Sequence, residues 1–256
     1  MRILAHRGAW GALKEKKQAE KNHMEKSLKK KEQIKKSLRE KAQIEKNQLQ
    51  KNRIEKNQLL KNIIEKNSAE AIVLALQRGW GIETDIRDDR GRLVISHDIA
   101  DETAPALEEI FRCYQKLGAD SFLALNIKAD GIQQLLLEQV TRYGIRNFAV
   151  FDMSVPEEVV YESMKIPFLT RQSEIEPEPV LYDRAAGVWM DQWREEWITG
   201  QRILEHVRNE KIVGIISPEI HGMEYQRLWD MIKSVDSDQI LLCTDRPEEA
   251  EEYFYG

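Results

Sequence analysis

Short apolar runs rich in Ile, Val, Leu and Phe recur along the chain at 2–7, 81–87, 122–128, 148–153, 168–172, 187–191, 212–219 and 240–245. Each is bounded by polar or turn-forming residues and is too short for a helix, the pattern of a strand buried on both faces. Between them, apolar positions three and four apart predict helices over 105–117, 131–143, 156–164, 199–209, 224–233 and 247–254. A further helix is predicted in SAEAIVLALQRG, with Ser68 as its N-cap, Gly79 as its stop and an apolar stripe through Ala71, Leu74 and Ala75. Only the link after FLTRQ lacks such a signal, because the prolines of EIEPEP oppose a helix there. Strands alternating with helices imply a parallel sheet. Eight such units predict an α/β fold of the (β/α)8 TIM-barrel type, one domain spanning 1–256.

One segment breaks the alternation. From Lys16 to Lys66 a lysine stands at every fifth position, eleven in all, and the residue two before it is often apolar. Residues 14–66 thus form a pentad-repeat insertion after the first strand, produced by expansion of a short unit. Its Glu, Lys, Gln, Leu and Ile favour helix. A five-residue period nevertheless advances about 140° around a helix, so the apolar positions spiral instead of forming a stripe. A solvent-exposed helix or a disordered spacer is expected. Self-association and contact with an anionic partner remain open roles for this arm.

The strand ends carry the chemistry. Polar residues collect at the C-terminal end of nearly every strand: His6 and Arg7, Glu83 and Asp85, Asn126 and Lys128, Asp152, Arg171, Asp191, Glu219 and Asp245. In a barrel these ends converge on one mouth, where catalytic groups of the fold sit. Glu83 and Asp85, two apart on a strand, point to the same side. Their mutual repulsion is relieved by a divalent cation with hard oxygen ligands, Mg²⁺ or Ca²⁺. His6-Arg7-Gly8 joins an acid/base group to a permanently charged phosphate clamp, and His97-Asp98 follows the short extended run LVIS.

AHRG, EKNSAEA, GIETDIRD, GRLVISHD and LLCTDRPEEA, in that order, resemble the glycerophosphodiester phosphodiesterase family over residues 1–13 and 65–256. The resemblance implies a TIM barrel that cleaves phosphodiesters to an alcohol and a phosphomonoester such as sn-glycerol 3-phosphate. It implies His6 and His97 as the catalytic pair, Arg7 and Lys128 at the phosphate, and Glu83 and Asp85 as metal ligands. Two departures stand out. Asn126 occupies the place of a third, acidic metal ligand, and Lys66 replaces the acid that normally precedes Asn67 and Ser68. An amide oxygen still ligates Mg²⁺ or Ca²⁺ but brings one negative charge fewer. Asn67 is expected at the substrate site. These departures also fit a weakened phosphate-ligand-binding or scaffold protein using the repeat as its arm, and the resemblance leaves open a phospholipase-like enzyme forming a cyclic phosphate.

Trp189 is expected to line the substrate pocket, with Trp193 and Trp197 packed beneath a loop. Glu219 and His221 are candidates for the substrate's polar head, while His23 and His206 are expected in solvent. The net charge is −5 overall. Residues 14–68 hold 18 Lys and Arg against 8 Asp and Glu, leaving an acidic remainder of −15. An acidic body lacks the basic docking face of a nucleic-acid binder. The apolar start breaks at His6, too early for a secretory signal, and no run approaches a membrane span. A cytoplasmic protein is expected, with Cys113 and Cys243 as buried thiols instead of a disulfide.

Overall fold

The computed structural model describes residues 2–6 and 66–256; of residues 3–6 it describes the backbone alone. The chain divides into two compact units, Met1–Trp10 together with Ile64–Gly256, and Gly11–Ile63. The second unit holds most of the pentad insertion and His23 and lies outside the described residues, as does Arg7.

Nine strands are described: β1 (Arg2–His6), β2 (Gly81–Asp89), β3 (Arg92–Ile95), β4 (Leu123–Ile127), β5 (Phe148–Phe151), β6 (Phe168–Gln172), β7 (Gly187–Met190), β8 (Ile212–Ile216) and β9 (Ile240–Thr244). Eight pair in parallel in the order β1-β9-β8-β7-β6-β5-β4-β2, and β1 also pairs with β2. These are the eight runs read from the apolar pattern. β3, the LVIS run, folds back antiparallel on the outer half of β2, with Ile86 opposite Ile95.

Helices α1 (Ala69–Gln77), α2 (Leu107–Leu117), α3 (Gln133–Tyr143), α4 (Val155–Ser163), α5 (Gly200–Arg208), α6 (Gln226–Val235) and α7 (Pro247–Tyr255) fill the expected intervals. The local signals account for their ends. The Ser68 hydroxyl accepts from the Ala71 N–H at 3.1 Å and starts α1. Gly118 and Gly144 stop α2 and α3 in the left-handed conformation, which costs glycine little. The β6–β7 link forms no helix, as its prolines require.

Alternation along the strands sorts the side chains into two layers. Ile82 and Ile86 of β2 and Leu123, Leu125 and Ile127 of β4 pack against helical residues such as Ile72, Phe111 and Leu136. The intervening residues Ala124, Ala149, Phe151, Leu169, Trp189, Leu241 and Cys243, from five strands, pack on one another across the opposite face. Burying each such Leu, Ile or Phe contributes about 1.5–3 kcal/mol. Small residues make room for large ones in this layer. Trp189 on β7 is paired with Gly214 on β8, where a Cβ would overlap the indole. Among the described residues, no helix is long and apolar enough to cross a membrane.

Candidate active site

Above the Trp189 layer the C-terminal strand ends enclose a cavity of about 400 Å³. Its wall on the β2 and β4 side is formed by Glu83 and Asn126, with Lys66 at its edge. Strand alternation turns Glu83 and Asp85 to one side, and the parallel register sets Asp85 beside Asn126 and Glu83 beside His6. Glu83 and Asp85 are buried, Asp85 completely. The Asn126 amide approaches Glu83 Oε1 at 3.5 Å, and its own Oδ1 is buried without a hydrogen-bond partner among the described residues.

Further contacts fix Asp85. Asn67, held at φ 63°, donates from Nδ2 to Asp85 Oδ2 at 2.8 Å and accepts at Oδ1 from the Thr84 hydroxyl at 3.0 Å. The residue where the chain leaves the insertion is therefore stitched to β2. Lys128 Nζ lies 3.4 Å from Asp85 Oδ1 and 3.3 Å from Asp152 Oδ2. Arg171 continues the series, 3.4 Å from Asp152 Oδ1 and 2.9 Å from Glu176. Lys66 reaches Asp245 at 2.5 Å, which ties the edge of the insertion to the end of β9.

The wall on the β7 and β8 side is of another kind. Trp189 lies stacked on Phe151, with ring centroids 3.9 Å apart, and forms the floor with Ile216 and Cys243. His221 ends a short 3-10 helix, Pro218–His221, and places Nε2 2.7 Å from Asp191 Oδ1. That hydrogen bond raises the His221 pKa from its ordinary value against the opposing effect of burial. Asp191 is itself oriented by two indoles: Trp193 Nε1 donates to its Oδ2 and Trp197 Nε1 to its backbone oxygen at 2.7 Å. Burial, reinforced by the surrounding carboxylates, pushes the Cys243 thiol far up, so the floor stays neutral.

The sequence-derived site is thus gathered in part. Glu83, Asn126 and Trp189 line the cavity, and Asp85, beside Asn126, is bonded to both Asn67 and Lys128. His6 joins through its backbone register, its side chain lying, like Arg7, outside the described residues. His97 lines a separate, wider cavity of about 710 Å³ with Asn67 and Ser68, and Lys66 borders both. Its Nδ1 meets Asp98 at 2.9 Å. Ser96, just before it, donates from its backbone N–H to Asp85 O at 3.1 Å.

Three expectations are corrected. Glu219 does not line the cavity: its carboxylate accepts from the Ser217 and Thr244 hydroxyls and from the Asp245 N–H, and so clamps β8 to β9. His206 is buried, between the Tyr182 hydroxyl and Gln172 Oε1, each at 2.9 Å. A helical histidine in a polar sequence gives no sign of such partners, which arrive from a different β/α unit. Trp193 is half exposed at the cavity edge instead of lying beneath a loop. Gln172 at the end of β6 and Ser173 and Glu176 of the β6–β7 link also line the cavity, and no sequence signal beyond the missing helix marked that link.

No protein-family model and no curated protein matches the chain. Solved structures do. A glycerophosphodiester phosphodiesterase from Agrobacterium tumefaciens aligns over 75% of this chain and 94% of that one, at 15% identity and a TM-score of 0.54. A phosphodiesterase from Oleispira antarctica, solved with the product sn-glycerol-3-phosphate, aligns over 75% and 92% at 14% identity and 0.53. One from Thermotoga maritima aligns over 74% and 91% at 14% identity and 0.53. The chain shares their fold. At this identity the likeness extends to architecture, and the cavity described above occupies the strand ends where enzymes of this fold work.

Proposed function

We propose that the protein is a metal-assisted phosphodiesterase that hydrolyses glycerophosphodiester-like small molecules to an alcohol and a phosphomonoester such as sn-glycerol 3-phosphate. The observation that carries this reading is the oxygen set Glu83, Asp85 and Asn126, two buried carboxylates and a buried amide oxygen without a partner among the described residues. The closed (β/α)8 barrel belongs to the same reading, supported by the pairing of β1 with both β2 and β9.

The residues fit a divalent cation. Among the described residues no three His, Cys, Asp or Glu cluster as a metal site, yet hard oxygen donors including an amide suit Mg²⁺ or Ca²⁺. Bound by Glu83, Asp85 and Asn126, such an ion supplies positive charge to the phosphate oxygens. Lys128, beside Asp85 and Asp152, and Arg7 hold the phosphate and neutralise charge as it develops. His6, at the end of β1 beside Glu83, and His97, just after β3, are the acid/base candidates, one accepting the proton of the attacking water. The bond from phosphorus to the departing alcohol breaks, and that oxygen takes a proton.

A panel of glycerophosphodiesters assayed with Mg²⁺ or Ca²⁺, and again in excess EDTA, tests this reading with the wild type and His6→Ala. Cation-dependent release of alcohol, lost in the variant, is expected. Release of a cyclic phosphate would place the substrate's own hydroxyl as the attacking group. Ligand binding without any product would favour a phosphate-binding or scaffold protein, the reading that the amide of Asn126 in place of a carboxylate supports.

A further inference from the structure

We propose that His221, held by Asp191, is the catalytic residue that protonates the departing alcohol. This rests on the phosphodiesterase reading and assigns a role within it.

The argument starts from position. His221 lines the same cavity as Glu83 and Asn126, whereas His97 lines the neighbouring one. The cavity has two dissimilar sides. Glu83 and Asn126 stand on the β2 and β4 side, and Asp191, Ile220 and His221 on the β7 and β8 side, with Trp189 on the floor between. A phosphodiester whose phosphate is held on the first side by a cation bound to Glu83, Asp85 and Asn126 would lay its alcohol along the second, over the Trp189 indole. There the bond that must break faces the imidazole.

The ring is built to give a proton. Nε2 is engaged by Asp191 at 2.7 Å, while Nδ1 has no hydrogen-bond partner among the described residues. Asp191 is fixed in turn by the indole N–H groups of Trp193 and Trp197, so the ring is oriented from behind as the base of a catalytic triad is. The groups that raise its affinity for a proton are Asp191 at the end of β7, Glu174 in the β6–β7 link and Glu219 on its own 3-10 helix. As the bond from phosphorus to the alcohol oxygen breaks, its electron pair stays on that oxygen, which takes the Nδ1 proton. The neutral imidazole keeps its bond to Asp191. The attacking water gives its hydrogen to the base on the β2 side, completing the phosphomonoester, and solvent reprotonates His221.

The test compares leaving groups. Wild type, His221→Ala, His221→Gln and Asp191→Asn, full-length and with Mg²⁺ or Ca²⁺, are assayed on glycerophosphoethanolamine and on bis(p-nitrophenyl) phosphate. The first departs as an alkoxide that needs a proton, the second as a stabilised phenolate that does not. The His221 variants are expected to lose about 10²–10⁴-fold in kcat/KM on the first substrate and to stay within about threefold of wild type on the second. The alkaline limb of the pH profile should vanish for the first substrate alone. Equal losses on both substrates, or no loss on the first, would overturn the assignment while leaving the phosphodiesterase reading intact. A wild type inactive on both would overturn the two together.

Discussion

The two walls of the cavity are made differently. On the β2 and β4 side the functional groups sit within strands: Glu83, Asp85 and Asn126 take their direction from pleat and register, and all are buried. On the β7 and β8 side they sit just beyond the strands. Asp191 follows β7, His221 ends a 3-10 helix, and Trp193 is half exposed in the loop between. The first wall can hold a charge rigidly at a fixed point. The second can be rebuilt by loop changes without disturbing the sheet, which suits the side that meets the variable part of a substrate.

The largest effect should come from breaking the first wall. Asp85→Asn keeps an acceptor for Asn67 but removes the negative charge facing Lys128 and the proposed cation site. Turnover of both an alkyl and a nitrophenyl diester should fall at least ~10²-fold, because stabilisation of the phosphate is lost whatever the leaving group. Asp191→Asn should spare the nitrophenyl substrate. Steady-state kinetics on the two substrates reads this difference; equal patterns for the two variants would mean that the walls do not divide the work.

The same division explains what the sequence disclosed. All eight parallel strands and seven helices were legible, since apolar periodicity reports burial and the caps Ser68, Gly118 and Gly144 act locally. Glu83 and Asp85 were legible for the same reason: a period of two puts both on one side. Asn67 meets Asp85 across 18 positions, and the resemblance of EKNS to a family pattern singled it out. His221 and Asp191 were each singled out, but the sequence did not announce that they meet, across 30 positions and through two loops. Nor did it announce that Glu219 is consumed by Ser217, Thr244 and Asp245. A polar residue at a strand end is easily seen. Which neighbour claims it is decided by loop geometry.

A middle-sized effect should follow from disturbing the floor that both walls share. Gly214 lies against the indole of Trp189, where an added Cβ overlaps the ring. Since Trp189 is packed on Phe151, the ring has little freedom to yield. Gly214→Ala should destabilise the protein by about 1–3 kcal/mol, the usual range for overpacking. That is roughly 2–4 °C of melting temperature per kcal/mol for a chain of this size. If Trp189 tilts upward into the cavity, KM for bulky alcohols should rise more than for small ones. A thermal melt with kinetics on a graded series of alcohols checks both, and an unchanged melt would show that the floor is softer than its packing suggests.

The smallest effect concerns two buried titratable groups on helices α4 and α5. Glu158 of α4 is buried within electrostatic reach of Arg171, and burial pushes its pKa up to about 7. His206 of α5, bonded to Gln172, has its pKa lowered, chiefly by desolvation. The two act on stability with opposite signs. Between 4.5, its ordinary value, and about 7, Glu158 keeps in the folded state a proton that the unfolded chain releases. Its contribution is present below that window and is lost as pH rises through it, by up to about 1.4 kcal/mol per pH unit. His206 binds its proton more readily when unfolded. Its contribution is present above 6.5 and is lost as pH falls through the lower folded value. Below 6.5 the slopes oppose each other, so the wild type should show a shallow profile that declines between 6.5 and about 7. Glu158→Gln removes the falling branch alone and should expose a rise in stability up to pH 6.5. Denaturant melts across this range decide the matter: a variant whose profile parallels the wild type would mean that Glu158 is ionised in the folded protein, with Arg171 compensating its charge.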